Sequence, residues 1–545
     1  MLQDAVAPPT GQTSAALFVS LSVALGTAVA ILTHWLQPGR AWIEPELLPL
    51  AGKIWDRTDL LSRLAIIFDW RIFEPNPHRL RPVSDSFEII DAIARPFISH
   101  IIVHPVLSIT TCTFVILVMT FAYRLFRLNQ LTRAESLLFC SLLAAMPGFL
   151  SNLFVYIRPA KPLSFVLIAA LLLCLFHYAA DLSRRRLAVI YVLLVIGGFT
   201  DELMIWAYFF VAVALLLLGA YKKAGSISLV LVAAGLTSAV ILFVVLPVVY
   251  EYLGPGGMRT VNLTDPESGE SVARRMLSYW TRKELYKRGV VVSARTIAAS
   301  FGLYENSTRN IVFGLLVIGS ALAGLTIFFH KRQTPAWRLG AVGLFGLLSF
   351  SQFGAWLHWF HGPRTLEDHV AVNYYYNSPV AIFVVLLGAS GFKAVHDFIA
   401  GDSSTRAAHS VVAAAVVIAG LIGHNIVSFM GLNEVQRMYH LGPTDTDAIY
   451  RQMNLPHIGD APPMVMVTGE PERLERMLTN YNQLGSTLFG EGWVNSGFYR
   501  DRRWFETKMQ WIGPGYAVFG QHYGFGLCSI HFPHQACPVE FRQTP

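Results

Sequence analysis

Long hydrophobic runs constrain the fold of this chain more than any other feature of its sequence. We identify about eleven of them, and a run of about 20 apolar residues is long enough to cross a bilayer as a helix. Only 14% of the 545 residues are charged, against about a quarter in a soluble protein. The sequence therefore predicts a mainly α, polytopic membrane helix bundle. The predicted spans are 15–36, 105–126, 134–156, 163–182, 187–200, 202–221, 226–249, 311–329, 339–359, 376–392 and 409–430.

Basic residues in the short loops predict the orientation of these spans. Arg and Lys cluster between the second and third, fourth and fifth, sixth and seventh, and eighth and ninth spans. The positive-inside rule assigns such loops to the cytoplasm, although residues 1–14 contain no Lys or Arg. We therefore expect the N-terminus inside and the C-terminus outside, with the polar segments 37–104, 250–310 and 431–545 on the outer face.

A change of composition divides the chain into two predicted domains. Residues 1–430 form a membrane domain whose large outer loops are 37–104 and 250–310. Residues 431–545 form a soluble extracytoplasmic domain, since the apolar runs end before this segment begins. The net charge of +7 indicates anionic lipid or phosphate as a partner, and no nucleic-acid-binding motif occurs in the chain.

The predicted soluble domain has the pattern of a small α/β fold. Apolar segments at 463–469 and 515–520 favour strands, and the residue spacing at 470–481 favours a helix. Cys528 and Cys537 have eight residues between them, and an oxidising outer compartment would let them form a disulfide.

The outer loop 250–310 contains a basic amphipathic segment at 271–288. Its apolar face and six basic residues favour a helix in the membrane interface among anionic headgroups. A solvated helix packed on the loop itself fits the same pattern. The chain has no P-loop, GxGxxG, HExxH or GxSxG motif, which argues against an ATPase subunit, a nucleotide-dependent dehydrogenase, a zincin and an α/β-hydrolase.

The first outer loop concentrates charged residues between positions 68 and 95. Carboxylates beside guanidiniums at a bilayer are suited to deprotonating an acceptor and holding a phosphate. Asp69 precedes Trp70, which suits the apolar face of a sugar ring. Alternatively, these charges only cap short helices and pair with one another. The charged residues are Asp69, Arg71, Glu74, Arg79, Arg81, Asp85, Glu88, Asp91 and Arg95.

Three further polar sites lie at predicted outer membrane edges. Asp201 and Glu202 are adjacent acids between two apolar runs, where charge is costly unless it is used. The turn Tyr156–Lys161 carries two cations, of which we select Arg158 as a candidate anion ligand. Arg364 is a candidate phosphate clamp near several histidines whose spacing is not diagnostic of a metal site. Tyr374 is a further binding candidate, within an aromatic group that is also typical of a membrane belt.

In its overall layout and in these residues, the chain resembles the GT-C superfamily of integral-membrane glycosyltransferases. Members have many helices, a long first outer loop with an acidic catalytic residue, and often a soluble outer C-terminal domain. The adjacent pair of acids frequent in that loop is missing, since Asp69 and Glu74 are five positions apart. The residues that carry the resemblance are Asp69, Glu74, Arg79, Arg81, Pro82, Tyr156 with its Arg158-Pro159 turn, Asp201, Glu202, and Arg364 before Tyr374–Tyr376.

The resemblance implies an inverting hexosyl- or pentosyltransferase of the bacterial inner membrane. Its donor would be a polyprenyl-phosphate sugar, and its acceptor a cell-envelope glycan, a lipid or a protein, on the periplasmic or extracellular face. Asp69, or as second choice Glu74, would be the base. Arg79, Arg81, Arg158, Asp201, Glu202, Arg364 and Tyr374 would bind donor phosphate or substrate. The resemblance implies no specific cofactor, and a divalent metal (Mg²⁺, Mn²⁺ or Ca²⁺) would serve to stabilise the departing phosphate.

Other function classes fit the same layout. A transporter or flippase of a lipid-linked sugar would share the helices and cations but need no base, and inverted repeats, which we do not find, would support it. A polymerase or ligase of envelope glycans has a similar architecture. A non-enzymatic scaffold whose outer tail binds a partner would have little use for the polar first loop.

Overall fold

The structure is a computed structural model, and the part of the chain that it describes is mainly helical, as predicted. It describes residues 61–62, 81–101, 109–154, 160–201, 203–220, 224–241, 283–303, 307–327, 334–361, 378–400 and 404–437, together with four short strands. The helices are α1 Pro82–Ile101, α2 Ile109–Leu128, α3 Arg133–Ala144, α4 Pro147–Phe154, α5 Ala160–Asp181, α6 Arg184–Gly198, α7 Leu203–Leu217, α8 Ala224–Val240, α9 Lys283–Ala299, α10 Thr308–Ile327, α11 Pro335–His361, α12 Val380–Ala400 and α13 Ser404–Arg437.

Several of these helices are typical of a membrane-embedded protein. Five of the described helices contain a stretch long and apolar enough to cross a bilayer. Shorter apolar stretches lie in α7, α8 and α9. The span at 15–36 lies outside the described residues, so the number of eleven spans and their orientation remain predictions. The five long stretches are Ile109–Leu128, Ala160–Asp181, Thr308–Thr326, Val380–Phe398 and His409–Ser428.

The third predicted span, 134–156, is not one continuous helix. Helix α3 begins at a capping box in which Thr132 and Glu135 satisfy each other's backbone N–H groups, and it ends at Ala144. Helix α4 starts at Pro147, whose ring has no N–H to donate to the preceding turn. The proline therefore divides the predicted span into two shorter helices.

The predicted outer loop 250–310 contains a helix that packs against the membrane helices. Helix α9 is charged in its first half, but Val292, Ile297 and Ala298 in its second half are buried. Gly314 of α10 lies against the backbone of Ala294, so a Cβ at position 314 would overlap it. The charged first half lowers the mean hydropathy of the helix, so a hydropathy average does not reveal the apolar second half. Residues 271–282 lie outside the described residues, and both interpretations of that segment stay open.

Phenylalanine rings fill the contact between α7, α11 and α12. Phe210 is stacked with Phe345 and meets Phe383 edge-on, at ring-centroid distances of 5.8 and 5.3 Å. Phe350 and Phe383 are stacked at 5.2 Å. Gly346 lies directly against the Phe383 ring, so the helices approach closely where a side chain is missing. These rings hold α7 firmly, and α7 begins beside Asp201.

Four short strands of the C-terminal segment form one sheet in the order β2-β3-β1-β4. They are β1 Met464–Thr468, β2 Gln510–Gly513, β3 Tyr516–Phe519 and β4 Leu527–His531. Strand β1 pairs antiparallel with β3 and parallel with β4. The predicted helix at 470–481 lies outside the described residues, so the α/β domain remains a prediction. Cys528 lies in β4 and Cys537 lies outside the described residues, so their disulfide is also untested.

Candidate functional site

Asp201 lies buried in the tight turn between α6 and α7. The turn is closed by backbone bonds from Thr200 and Asp201 to the Gly197 carbonyl. The Asp201 carboxylate accepts the backbone N–H of Leu203 at 2.9 Å and so caps the start of α7. Only 2% of Asp201 is exposed, so its charge needs partners from the protein.

Lys161 is the closest charged partner of Asp201. Its Nζ donates to both carboxylate oxygens at 2.9 Å, and its side chain is only 7% exposed. The residue lies in the first turn of α5 and reaches across to the turn before α7. From the same segment the sequence analysis selected Arg158 and left Lys161 out of the candidate site. Arg158 lies outside the described residues. The sequence signal for Lys161 was its position, because a lysine in a predicted outer turn runs against the positive-inside trend.

Arg81 brings the first outer loop to the same carboxylate. Its Nη1 lies 3.7 Å from Oδ2 of Asp201, and its side chain is 9% exposed. Arg81 directly precedes α1, and its carbonyl accepts the first helical bond, from Asp85. The N–H of Val83 donates to the carbonyl of Phe199 at 3.1 Å, which holds the start of α1 against the turn before α7. Two residues predicted separately, Arg81 and Asp201, are therefore neighbours.

Arg81, Lys161 and Asp201, which we call the charge cluster, contain two cations and one carboxylate. Each residue lies at the N-terminal end of a helix, α1, α5 or α7. Helix N-termini carry partial positive charge and unsatisfied N–H groups, so they add to the positive potential. Burial weakens solvent screening and strengthens these interactions. The cluster is thus suited to hold an anionic group such as a phosphate near the ends of membrane helices.

Two acids of α1 are buried away from its first turn. Asp91 accepts the backbone N–H of Thr110 at 3.0 Å and so caps the first turn of α2. Glu88 is 4% exposed on the same helix. Helix α1 is therefore attached at both ends of its first half, by Arg81 and Val83 at one end and by Asp91 at the other. Among the many charged residues of this segment, Asp91 therefore stabilises the fold and Arg81 belongs to the charge cluster.

Seven of the other predicted site residues lie outside the part of the chain that the structure describes, so their roles stay predictions. They are Asp69, Glu74, Arg79, Arg158, Glu202, Arg364 and Tyr374. Within the described ranges, no group of three or more His, Cys, Asp or Glu side chains is arranged to hold a metal ion. Both oxygens of Asp201 already accept from Lys161, so the charge cluster does not fit a metal site.

Comparison with known proteins assigns no family to this chain. No protein-family model matches the sequence, and no curated protein matches it. The functional interpretation therefore depends on the residues themselves.

Proposed function

We propose that the protein is a membrane glycosyltransferase that transfers a sugar from a polyprenyl-phosphate donor to an acceptor on the outer face of the membrane. The observation that carries the proposal is the buried charge cluster, in which Arg81 and Lys161 surround Asp201 at three helix N-termini. A lipid-linked phosphate reaches a protein at the membrane edge, and cations at the ends of membrane helices are suited to receive it.

The proposed reaction is a single displacement with inversion. The acceptor hydroxyl oxygen forms a bond to the anomeric carbon while the bond from that carbon to the phosphate oxygen breaks. The hydroxyl proton goes to a carboxylate of the first outer loop, Asp69 or else Glu74, both outside the described residues. The electron pair of the broken bond leaves with the polyprenyl phosphate. Arg81 and Lys161 stabilise the charge that develops on that phosphate, because their positions are fixed before the donor binds.

The proposed setting follows from the resemblance to GT-C enzymes and from the predicted orientation. The charge cluster lies at the N-terminal ends of α5 and α7, which the positive-inside rule assigns to the outer side. A bacterial inner membrane would supply the polyprenyl-phosphate sugar, and the acceptor would be a cell-envelope glycan, a lipid or a protein. No nucleotide is needed for this reaction, in agreement with the lack of nucleotide-binding motifs in the sequence.

Transfer with purified protein tests the proposal. A panel of polyprenyl-phosphate sugars is incubated with the wild type, Asp69→Asn, Glu74→Gln and Lys161→Gln, and sugar transfer and donor loss are measured. General base catalysis contributes about 10² to 10⁴-fold, so one of the two carboxylate variants should lose at least about tenfold in rate. Lys393→Gln, which removes a lysine from a peripheral pair with Asp397, is the matched control for Lys161→Gln. If the wild type consumes none of the donors in the panel, the proposal is contradicted.

A transporter of lipid-linked sugars is the second candidate, and one observation favours it. Many transporters use discontinuous helices near their substrates, and α3 and α4 form such an interrupted pair. Asn425 of α13 is buried beside the interruption and donates to the Met146 sulfur at 3.5 Å. Proteoliposomes that move a lipid-linked sugar between leaflets without transferring it would favour this candidate over the glycosyltransferase.

A further inference from the structure

We propose that the interruption between α3 and α4 holds a sodium ion, bound by neutral oxygen atoms of the interruption itself, of the segment before α12 and of α13. The inference does not depend on the sugar-transfer proposal and uses no residue of the charge cluster. Ala145 and Met146, the two residues of the interruption that precede Pro147, are fully buried. Polar backbone groups there do not reach water, so they need partners from the protein or from a bound ligand.

The carbonyl of Ala145 is the first proposed ligand. In a continuous helix it would accept the N–H of Phe149, four residues later. That N–H donates to the carbonyl of Met146 instead, at 2.9 Å. Among the backbone groups that the structure describes, no other N–H donates to the Ala145 carbonyl. Helix α3 also ends here, and the C-terminal end of a helix carries partial negative charge. The interruption therefore offers a buried acceptor in a negative potential.

Asn425 of α13 supplies the second proposed ligand. Its side chain is buried, and its Nδ2 donates to the sulfur of Met146 at 3.5 Å. Since a thioether sulfur only accepts, the opposite orientation of the amide would direct one acceptor at another. The amide oxygen, Oδ1, is buried and has no hydrogen-bond partner within the described ranges. A buried oxygen without a donor is costly, so this atom points to a positively polarised partner.

Ser378, two residues before α12, supplies the third proposed ligand. Its Oγ is buried and also lacks a hydrogen-bond partner in the described part of the chain. Its Cα lies 3.1 Å from where a Cβ on Gly148 would be, so it reaches the first turn of α4. Asn425 contacts residue 146 and Ser378 contacts residue 148, which are only two Cα steps of about 3.8 Å apart. The two side chains therefore converge on the same short segment.

The chemistry of these ligands favours a sodium ion. Oxygen ligands suit hard cations, whereas softer metals prefer histidine and cysteine. Calcium and magnesium are usually bound with carboxylates, and none of the three ligands is a carboxylate. Discontinuous membrane helices coordinate Na⁺ with unwound backbone carbonyls and with the C-terminal ends of half-helices. The close approach of Ser378 to Gly148 leaves little room, which favours Na⁺ over the larger K⁺.

An ordered water is the alternative occupant, because water also donates to buried acceptors. The two occupants make different predictions. A water molecule would stabilise the protein equally in every salt. A bound ion stabilises the folded protein as its own concentration rises, until the site is saturated. The dependence of stability on the identity of the cation therefore separates the two.

The first experiment measures the thermal unfolding midpoint of the full-length wild type in detergent. NaCl, KCl and choline chloride are compared at equal ionic strength. We expect the midpoint to be at least about 2 °C higher in NaCl than in choline chloride, and the increase to saturate with Na⁺. Equal midpoints in NaCl and choline chloride would overturn the proposal in favour of water. An equal increase in KCl, or an increase that does not saturate, would also overturn it.

The second experiment measures equilibrium binding of radioactive sodium by the wild type, Asn425→Ala and Ser378→Ala. We expect one ion per wild-type chain and an affinity at least about tenfold lower in each variant, since each removes one buried ligand. Asn129→Ala and Ser136→Ala are matched controls, because these buried side chains donate within their own helical turns. Both controls should bind sodium as the wild type does.

The outcomes of the binding experiment are decisive even if one variant does not fold. Wild-type affinity in a folded Asn425→Ala or Ser378→Ala protein would overturn the proposed ligand set. A wild type that binds no radioactive sodium would overturn the site itself. Ser378→Ala and the wild type keep the test valid if Asn425→Ala fails to fold. Sugar transfer is judged by its own assay, so failure of the sodium site leaves that proposal unaffected.

Discussion

Lys161 and Asp201 form a buried ion pair in which Nζ lies 2.9 Å from both carboxylate oxygens, joining the start of α5 to the turn before α7. The pair is 40 residues apart in the chain, and both side chains are nearly inaccessible to solvent. Arg81 adds the start of α1 to the same point. One carboxylate therefore fixes the relative positions of three helix N-termini.

Removing the charge of Lys161 should lower stability and activity together. Lys161→Gln leaves Asp201 with a weaker partner, and breaking one side of a buried pair costs about 3–5 kcal/mol. We expect a clear drop in the thermal unfolding midpoint in detergent. Lys393→Gln, which removes an i,i+4 pair on α12, should change stability by less than about 0.5 kcal/mol. Equal losses in both variants would contradict the special position of Lys161.

Changing Arg81 should affect donor binding more than folding. Its distance of 3.7 Å from Asp201 is longer than that of Lys161, so it contributes less to holding the carboxylate. Arg81→Gln should raise KM for the donor by about tenfold or more, because one charge-assisted contact to phosphate is lost. Arg81→Lys keeps the charge and should restore part of this loss. An unchanged kcat/KM for the donor would be inconsistent with a phosphate ligand.

The carboxylate of Asp91 should stabilise the start of α2. It accepts the Thr110 N–H at 3.0 Å, and loss of a helix cap costs about 0.5–2 kcal/mol. Asp91→Ala should therefore lower the unfolding midpoint measurably. Asp397→Asn, in the half-exposed pair with Lys393, serves as the control and should have little effect.

Two glycines offer a matched test of helix packing. Gly346 lies against the Phe383 ring, so Gly346→Ala forces a steric overlap that typically costs about 1–3 kcal/mol. Apart from its chain neighbours and the backbone of its own helix, Gly319 of α10 has no described atom within 4 Å of where a Cβ would lie, so Gly319→Ala should be neutral or slightly stabilising. Unfolding midpoints of the two variants would test the contact between α11 and α12, and equal midpoints would argue against it.

The sequence predicted the helical class, and it selected Arg81 and Asp201, which the structure brings together. Asp201 was selected because an acid between two apolar runs is costly unless it is used. Its pairing with Lys161 and Arg81 was not predictable, since it depends on how distant helices pack. Pro147, a local signal, divides a run that a hydropathy average treats as one span. A hydropathy average also combines the charged start of α9 with its buried apolar end, so the average did not reveal that end.

The contact between Arg81 and Asp201 cannot form until the turn before α7 has been synthesised. Arg81 leaves the ribosome 120 residues before Asp201, roughly 6–24 s earlier at typical rates of synthesis. During that interval α1 lacks its attachment to the turn before α7, and Lys161 lacks its carboxylate. A chain interrupted before residue 201 would lack the carboxylate that joins the starts of α1, α5 and α7.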